Sequence, residues 1–142
     1  EDVAALQQGV RDGTIDLLVT DHAPHHYDEK EREFADAPNG IVGLETALGV
    51  NVTWLVERGV LTIAQLVDRM STRPAKVFHL PGGTLAKGSL ADVTLFDPTR
   101  QWTVDPARFK SKGRNTPYGG QTLTGQAVCT IVGGRVVHQL NR

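Results

Sequence analysis

The chain has 142 residues, a formal net charge of -1 at pH 7 and both signs of charge interspersed, which gives no electrostatic case for nucleic acid or an anionic membrane. No apolar run approaches the roughly 20 residues of a membrane span, and no signal peptide is visible. The single Cys129 excludes an intrachain disulfide framework, and these features together fit a cytoplasmic enzyme.

Val3, Ala4, Leu6 and Val10 give one apolar face at helical spacing, so residues 1–12 read as an amphipathic helix ended by Gly13. Ile15-Asp16-Leu17-Leu18-Val19 reads as a buried strand over 15–20. Residues 21–43 form a long loop, and loops of that length in compact domains are usually functional. Its run Asp28-Glu29-Lys30-Glu31-Arg32-Glu33 reads as a solvated turn or short helix without chemistry of its own. Residues 44–58 read as a helix closed by Gly59. A second helix starts at Thr62, where Thr62 and Gln65 have the spacing of a capping box. Leu61, Ala64, Leu66, Val67 and Met70 supply its apolar side. A third, short helix is expected near 74–79, with Pro74 in its first turn.

After Leu80 glycines and prolines punctuate short β-type runs. Residues 91–97 form one expected strand. Val128 to Val132 and Arg135 to His138 flank Gly133-Gly134, a hairpin signal because glycine accepts the positive φ such turns require. Cys129 sits in this alternating pattern and reads as an inert buried thiol.

The chemistry gathers at Thr20-Asp21-His22-Ala23-Pro24-His25. An Asp at the carboxyl end of a buried strand, followed by a His-rich, Pro-broken loop, is where an α/β barrel keeps its reactive groups. Asp21 can hold a metal ion, accept a proton, or do both; the plainer alternative is a turn or helix-cap Asp. His22, His25 and His26 suggest a metal cluster, but Pro24 disfavours the helix that would align His22 with His26. His22 would point away from Asp21 in an extended segment and reads as structural, and His26 as solvent-facing. Asn39-Gly40 lies in a Pro-Asn-Gly sequence that is also an ordinary turn. Arg108, Lys110, Lys112 and Arg114 read first as a solvated loop, with a subunit interface or anion-steering edge as the minority reading.

Asp21-His22-Ala23-Pro24-His25, Pro38-Asn39-Gly40 with Gly43-Leu44-Glu45-Thr46, and Asn115-Thr116-Pro117-Tyr118 together resemble the dihydroorotases, specifically the longer bacterial type within the metal-dependent amidohydrolase superfamily. The Asp-His-Ala-Pro-His string separates them from hydantoinases and allantoinases, which usually vary after the Asp-His pair. A complete (β/α)₈ barrel needs roughly 250 residues. The expectation is therefore the C-terminal part of a longer protein, beginning inside a helix and without Met. The implied fold class is α/β, with residues 1–80 as the last strand and helices of a (β/α)₈ TIM-type barrel carrying the 21–43 loop. Residues 81–142 would be a β-rich segment of a small flanking domain.

The resemblance implies that Asp21 closes the barrel's eighth strand, binds one zinc and acts as general base and acid. Zn²⁺, one ion or two, lowers the pKa of water it binds and makes it nucleophilic near neutral pH. Most zinc ligands would lie upstream. His25 is assigned to the substrate's carboxylate, which needs a hydrogen-bond donor. Backbone groups at Asn39 and Gly40 are assigned to the substrate ring; the family often has an aromatic where Asn39 stands, a change that a backbone contact survives. Glu45 and Thr46 are expected to fix their helix rather than touch substrate. The implied reaction is reversible hydrolysis of L-dihydroorotate to N-carbamoyl-L-aspartate in pyrimidine synthesis, with the isolated chain inactive. Two rivals stand beside it: another cyclic amidase such as a hydantoinase or allantoinase, and a non-catalytic partner of aspartate carbamoyltransferase. A homodimer and a transcarbamoylase complex are left open.

Overall fold

A computed structural model describes residues 1–140. Helix α1 (Asp2–Asp12) is the one that the apolar spacing predicts. It stops at Gly13, whose φ of 92° makes a left-handed C-cap and whose N–H reaches the Gly9 carbonyl. Val10 is its buried residue and packs with Val60 and Leu61, flanked by half-buried Ile15, Leu18 and Leu55. Val3 and Leu6 stay exposed, so α1 meets the core only at its last turn.

Residues 15–20 differ from the buried strand expected there. They pair with no strand among the described residues, and Val19 is 74% exposed. β-type side chains favour an extended backbone, but a strand also needs a neighbour to complete its ladder. Arg69 holds the segment instead. This residue is only 5% exposed, and its guanidinium donates to the carbonyls of Ile15 at 2.9 Å, Asp16 at 3.3 Å and Val10 at 3.2 Å. The Leu18 N–H donates to the Arg69 carbonyl at 3.2 Å. Asp16 pairs with Arg73 at 2.8 Å, and Arg73 also meets Asp68 at 2.6 Å.

A single turn, α2 (Tyr27–Lys30), interrupts the long loop. Helix α3 (Ala47–Asn51) runs directly into a π turn, Val52–Val56. Helix α4 (Ile63–Val67) opens on the predicted capping box. The Gln65 N–H donates to Thr62 Oγ1 at 3.2 Å, and the Thr62 N–H donates to Gln65 Oε1 at 2.8 Å. The break expected before the third helix is absent: a π turn, Asp68–Thr72, joins α4 to α5 (Arg73–Val77). Pro74 accounts for the irregularity. It has no N–H for the carbonyl four residues back, and its ring crowds that carbonyl. A π turn accommodates such a mismatch without ending the helix. Of the expected apolar side, Leu61 and Leu66 are buried, Met70 is half-buried, and Ala64 and Val67 are exposed.

Strands β1 (Val93–Thr103), β2 (Thr122–Val132) and β3 (Arg135–Gln139) form an antiparallel sheet in that order. β1 continues past the expected end at Asp97. The register shifts between Asp97 and Gln101, around Pro98, where the ladder loses a donor. Gly133 and Gly134 have φ of 55° and 77° and make the tight turn between β2 and β3, as their pairing predicts. Cys129 is half-buried rather than buried. Helix α3 lies on β2. The Thr124 N–H donates to Thr53 Oγ1 at 2.8 Å, and Trp102 Nε1 donates to the Gly125 carbonyl at 3.0 Å. Val42, Val104, Phe109 and Leu123 form the core beneath, joining the end of the long loop to the sheet. Among the described residues no helix is long and apolar enough to cross a membrane.

Replacing Arg69 by Met strands several backbone carbonyls without a donor. Urea unfolding should show a loss of about 2–4 kcal/mol. Arg69→Lys, which keeps charge but not the fork, should recover only part of it. An Arg69→Met protein as stable as the parent would contradict this account of segment 15–20.

Candidate active site

Asp21 opens the long loop with φ of 43°, in the left-handed region. It is exposed, and its carboxylate has no hydrogen bond or ion pair among the described residues. The chain next turns the His22 ring inward. His22 Nδ1 accepts from the N–H of Gly43 at 3.1 Å and of Leu44 at 3.4 Å. An acceptor at Nδ1 leaves the proton of the neutral ring on Nε2, which stands 3.5 Å from Ser111 Oγ. His22 thus ties the loop start to the lead-in of α3, a structural role.

Residues 22–25 run beside residues 39–42. The Ala23 N–H donates to the Ile41 carbonyl at 2.9 Å. His25 Nε2 lies 3.0 Å from the Asn39 carbonyl and its Nδ1 lies 3.4 Å from the Glu29 carboxylate. A carbonyl only accepts, so Nε2 carries hydrogen here. Gly40 has φ of 105°, and a Cβ built on it would stand 2.6 Å from the Ala23 Cβ. Only a residue without that atom lets the two loops come so close. Lys30 Nζ donates to the carbonyls of Pro38 at 2.7 Å and Gly40 at 3.3 Å, closing the loop on itself. Phe34, at the loop's tip, is 99% exposed. The carbonyls of Asn39 and Gly40 therefore have internal partners. Their N–H groups have none among the described residues.

Among the described residues no group of three or more His, Cys, Asp or Glu side chains could hold a metal ion. His26 is exposed, as expected, but it has work in the fold. Its Nδ1 accepts from the Asp28 N–H at 3.3 Å, and its own N–H donates to the Glu29 carboxylate at 3.3 Å. That reciprocal capping box starts α2. The His26-to-Glu29 spacing was its signal, masked because His is a less usual cap than Ser or Thr. Glu45 accepts from the N–H groups of Lys110 at 2.9 Å and Ser111 at 3.0 Å, and Thr46 is buried. Glu45 ties the start of α3 to the basic loop, and Thr46 Oγ1 donates to the Gly43 carbonyl at 3.4 Å. Arg108, Lys110, Lys112 and Arg114 are exposed, and the Arg114 guanidinium folds back onto the Ser111 and Gly113 carbonyls.

Asn115 had only a place in a motif; the structure puts it against both loops. Its Oδ1 accepts from the His25 N–H at 3.1 Å. Its Nδ2 donates to the carbonyls of Ala23 at 2.8 Å and Gly40 at 3.2 Å. A hollow of about 360 Å³ opens beside Asn39 and Gly40, with Lys30 and Phe34 on its wall. A larger cleft of about 830 Å³ lies elsewhere, between α3 and the sheet near Trp102, Arg108 and His138, and is lined by none of Asp21, His25, Asn39 or Gly40.

Residues 1–137 match the profile of the Amidohydrolase family. The chain is 56% identical over 139 residues to a dihydroorotase from Pelobacter propionicus and 51% identical to one from Syntrophus aciditrophicus, covering 98% of itself in each case. It spans 32% of the length of these curated relatives, so about a third of each. Among solved structures it resembles the L-hydantoinase from Arthrobacter aurescens, with a TM-score of 0.90, 35% identity and coverage of 98% of this chain and 32% of that one. A D-hydantoinase from Thermus sp. gives a TM-score of 0.86 at 31% identity, covering 96% of this chain and 31% of that one. With its α/β fold and a match that runs through nearly every residue, the chain belongs to the amidohydrolase family.

Proposed function

We propose that this chain is the C-terminal part of a dihydroorotase, the enzyme that reversibly hydrolyses L-dihydroorotate to N-carbamoyl-L-aspartate. The observation that carries this reading is the 50–56% identity to dihydroorotases along nearly the whole chain, against 35% for the L-hydantoinase structure. On this reading residues 1–80 belong to the end of a (β/α)₈ barrel and residues 81–142 to a flanking β-domain. Homodimerisation and a complex with aspartate carbamoyltransferase remain proposals that accompany it.

The residues present suit a zinc enzyme in one respect. Asp21 offers an exposed carboxylate that no other described group engages, and carboxylate oxygens are common zinc ligands. The other ligands would come from outside these 142 residues. Zinc, when bound, supplies a lowered pKa for the attacking water and polarisation of the amide carbonyl. Asp21 handles the proton. Its carboxylate takes one from the water as the oxygen attacks the ring carbonyl carbon, and returns it to the ring nitrogen as the C–N bond breaks. His25 donates to the substrate carboxylate through the ring N–H that here meets the Asn39 carbonyl. The N–H groups of Asn39 and Gly40 hold the ring.

The hydantoinase likeness of the fold favours a second reading, a cyclic amidase for neutral rings. The two separate on His25, because a ring without a carboxylate needs no such donor.

The full-length, zinc-loaded protein should hydrolyse dihydroorotate, and Asp21→Asn should lower turnover by about 10²–10⁴-fold. Undiminished turnover in that variant would remove Asp21 from the proton pathway. No turnover and no bound zinc in the parent would support the non-catalytic partner instead. His25→Ala should raise KM for dihydroorotate by roughly 10–100-fold, the loss of a hydrogen bond to a charged group, while leaving KM for hydantoin unchanged. Equal effects on both substrates would point to a structural His25.

A further inference from the structure

The two loops that face the proposed substrate are held in register by a residue from a third segment. Asn115 lies 90 positions from His25 in sequence and 75 from Gly40. It uses every polar group of its side chain on them. Oδ1 takes the His25 N–H, one Nδ2 hydrogen goes to the Ala23 carbonyl and the other to the Gly40 carbonyl. Its backbone carbonyl accepts from the Val42 N–H at 3.0 Å. Its neighbourhood is tight: a Cβ on Gly113 would stand 2.8 Å from the Pro24 Cβ and 2.9 Å from Asn115 Oδ1. Only a primary amide offers one acceptor and two donors in a plane. A carboxylate keeps the acceptor and loses both donors.

We infer that Asn115 is a positioning residue that sets the distance between His25 and the Asn39-Gly40 backbone without touching substrate. For its effect on substrate this rests on the dihydroorotase reading; for the coupling of the loops it does not. His25 and the Gly40 backbone are the proposed grips on the two ends of the ligand. Loosening their common brace weakens ligand binding more than it slows the proton transfer at Asp21.

The test uses the full-length, zinc-loaded protein with Asn115→Ala and Asn115→Asp. Two quantities are read: KM and kcat for dihydroorotate, and amide hydrogen exchange by segment. Asn115→Ala should raise KM roughly tenfold or more, as expected for lost hydrogen bonds, with kcat little changed. Exchange should accelerate at residues 22–25 and 39–42 and stay unchanged in β2 and β3. Asn115→Asp should keep the His25 N–H protected and still loosen residues 39–42, which also decides the matter if the alanine variant folds poorly. Unchanged KM and unchanged loop exchange would overturn the inference. So would uniformly faster exchange with normal KM in the folded enzyme, the signature of a merely structural residue. If the parent shows no turnover of dihydroorotate, the dihydroorotase reading falls alone. Exchange confined to the two loops would then still support the brace, and its absence would refute it.

Discussion

A guanidinium with almost no access to water must have acceptors, and Arg69 finds them on backbone that has no other donors. The last turn of α1 and the extended residues after it expose carbonyls that neither helix nor sheet satisfies. Arg69, in the π turn between α4 and α5, gathers three of them. Segment 15–20 thereby acquires a fixed direction without a strand beside it. Everything that follows in the chain starts from that direction, because the segment delivers Asp21 to the mouth of the loop.

From there the site is assembled by backbone contacts more than by side-chain packing. His22 turns inward to hold the entry of α3, and Ala23 and Gly40 press two loops together. Lys30 and Asn115 occupy the carbonyls that would otherwise be left open. Such an arrangement leaves the Asp21 carboxylate and the N–H groups of Asn39 and Gly40 without partners among the described residues. The chain shares 50–56% of its sequence with dihydroorotases and its fold, at a TM-score of 0.90, with an L-hydantoinase. Fold alone does not decide a substrate, which is chosen by the residues of a site.

What the sequence reveals here is what local chemistry decides. Gly13 as a C-cap, the Thr62–Gln65 box and the Gly133-Gly134 turn each depend on neighbours within a few residues, and each forms where expected. The family was legible for a different reason, since the short motifs around Asp21 and Asn115 are specific strings. What was not legible depends on distant partners. An apolar run at 15–20 specifies an extended backbone but not the ladder beside it. Pro74 looks like a helix start, because nothing local tells that a π turn will carry the preceding helix through it. Arg69 looks like an ordinary surface residue, and Asn115 like one letter of a motif, until carbonyls more than fifty positions away are seen to need their donors.

The backbone at Asp21 has a consequence for how the site can be interrogated. A positive φ is expensive for most residues with a Cβ, and Asp and Asn are among the few that tolerate it. Alanine, glutamate or serine at this position would alter the path of the loop as well as the chemistry. Their phenotypes would mix strain with lost function, and a natural or engineered variant carrying one of them would be misread as evidence about charge. Asparagine removes the charge and keeps a near-isosteric side chain that the left-handed backbone tolerates. The same constraint narrows the position to the few residue types that tolerate a left-handed backbone, Asp, Asn, His and Gly.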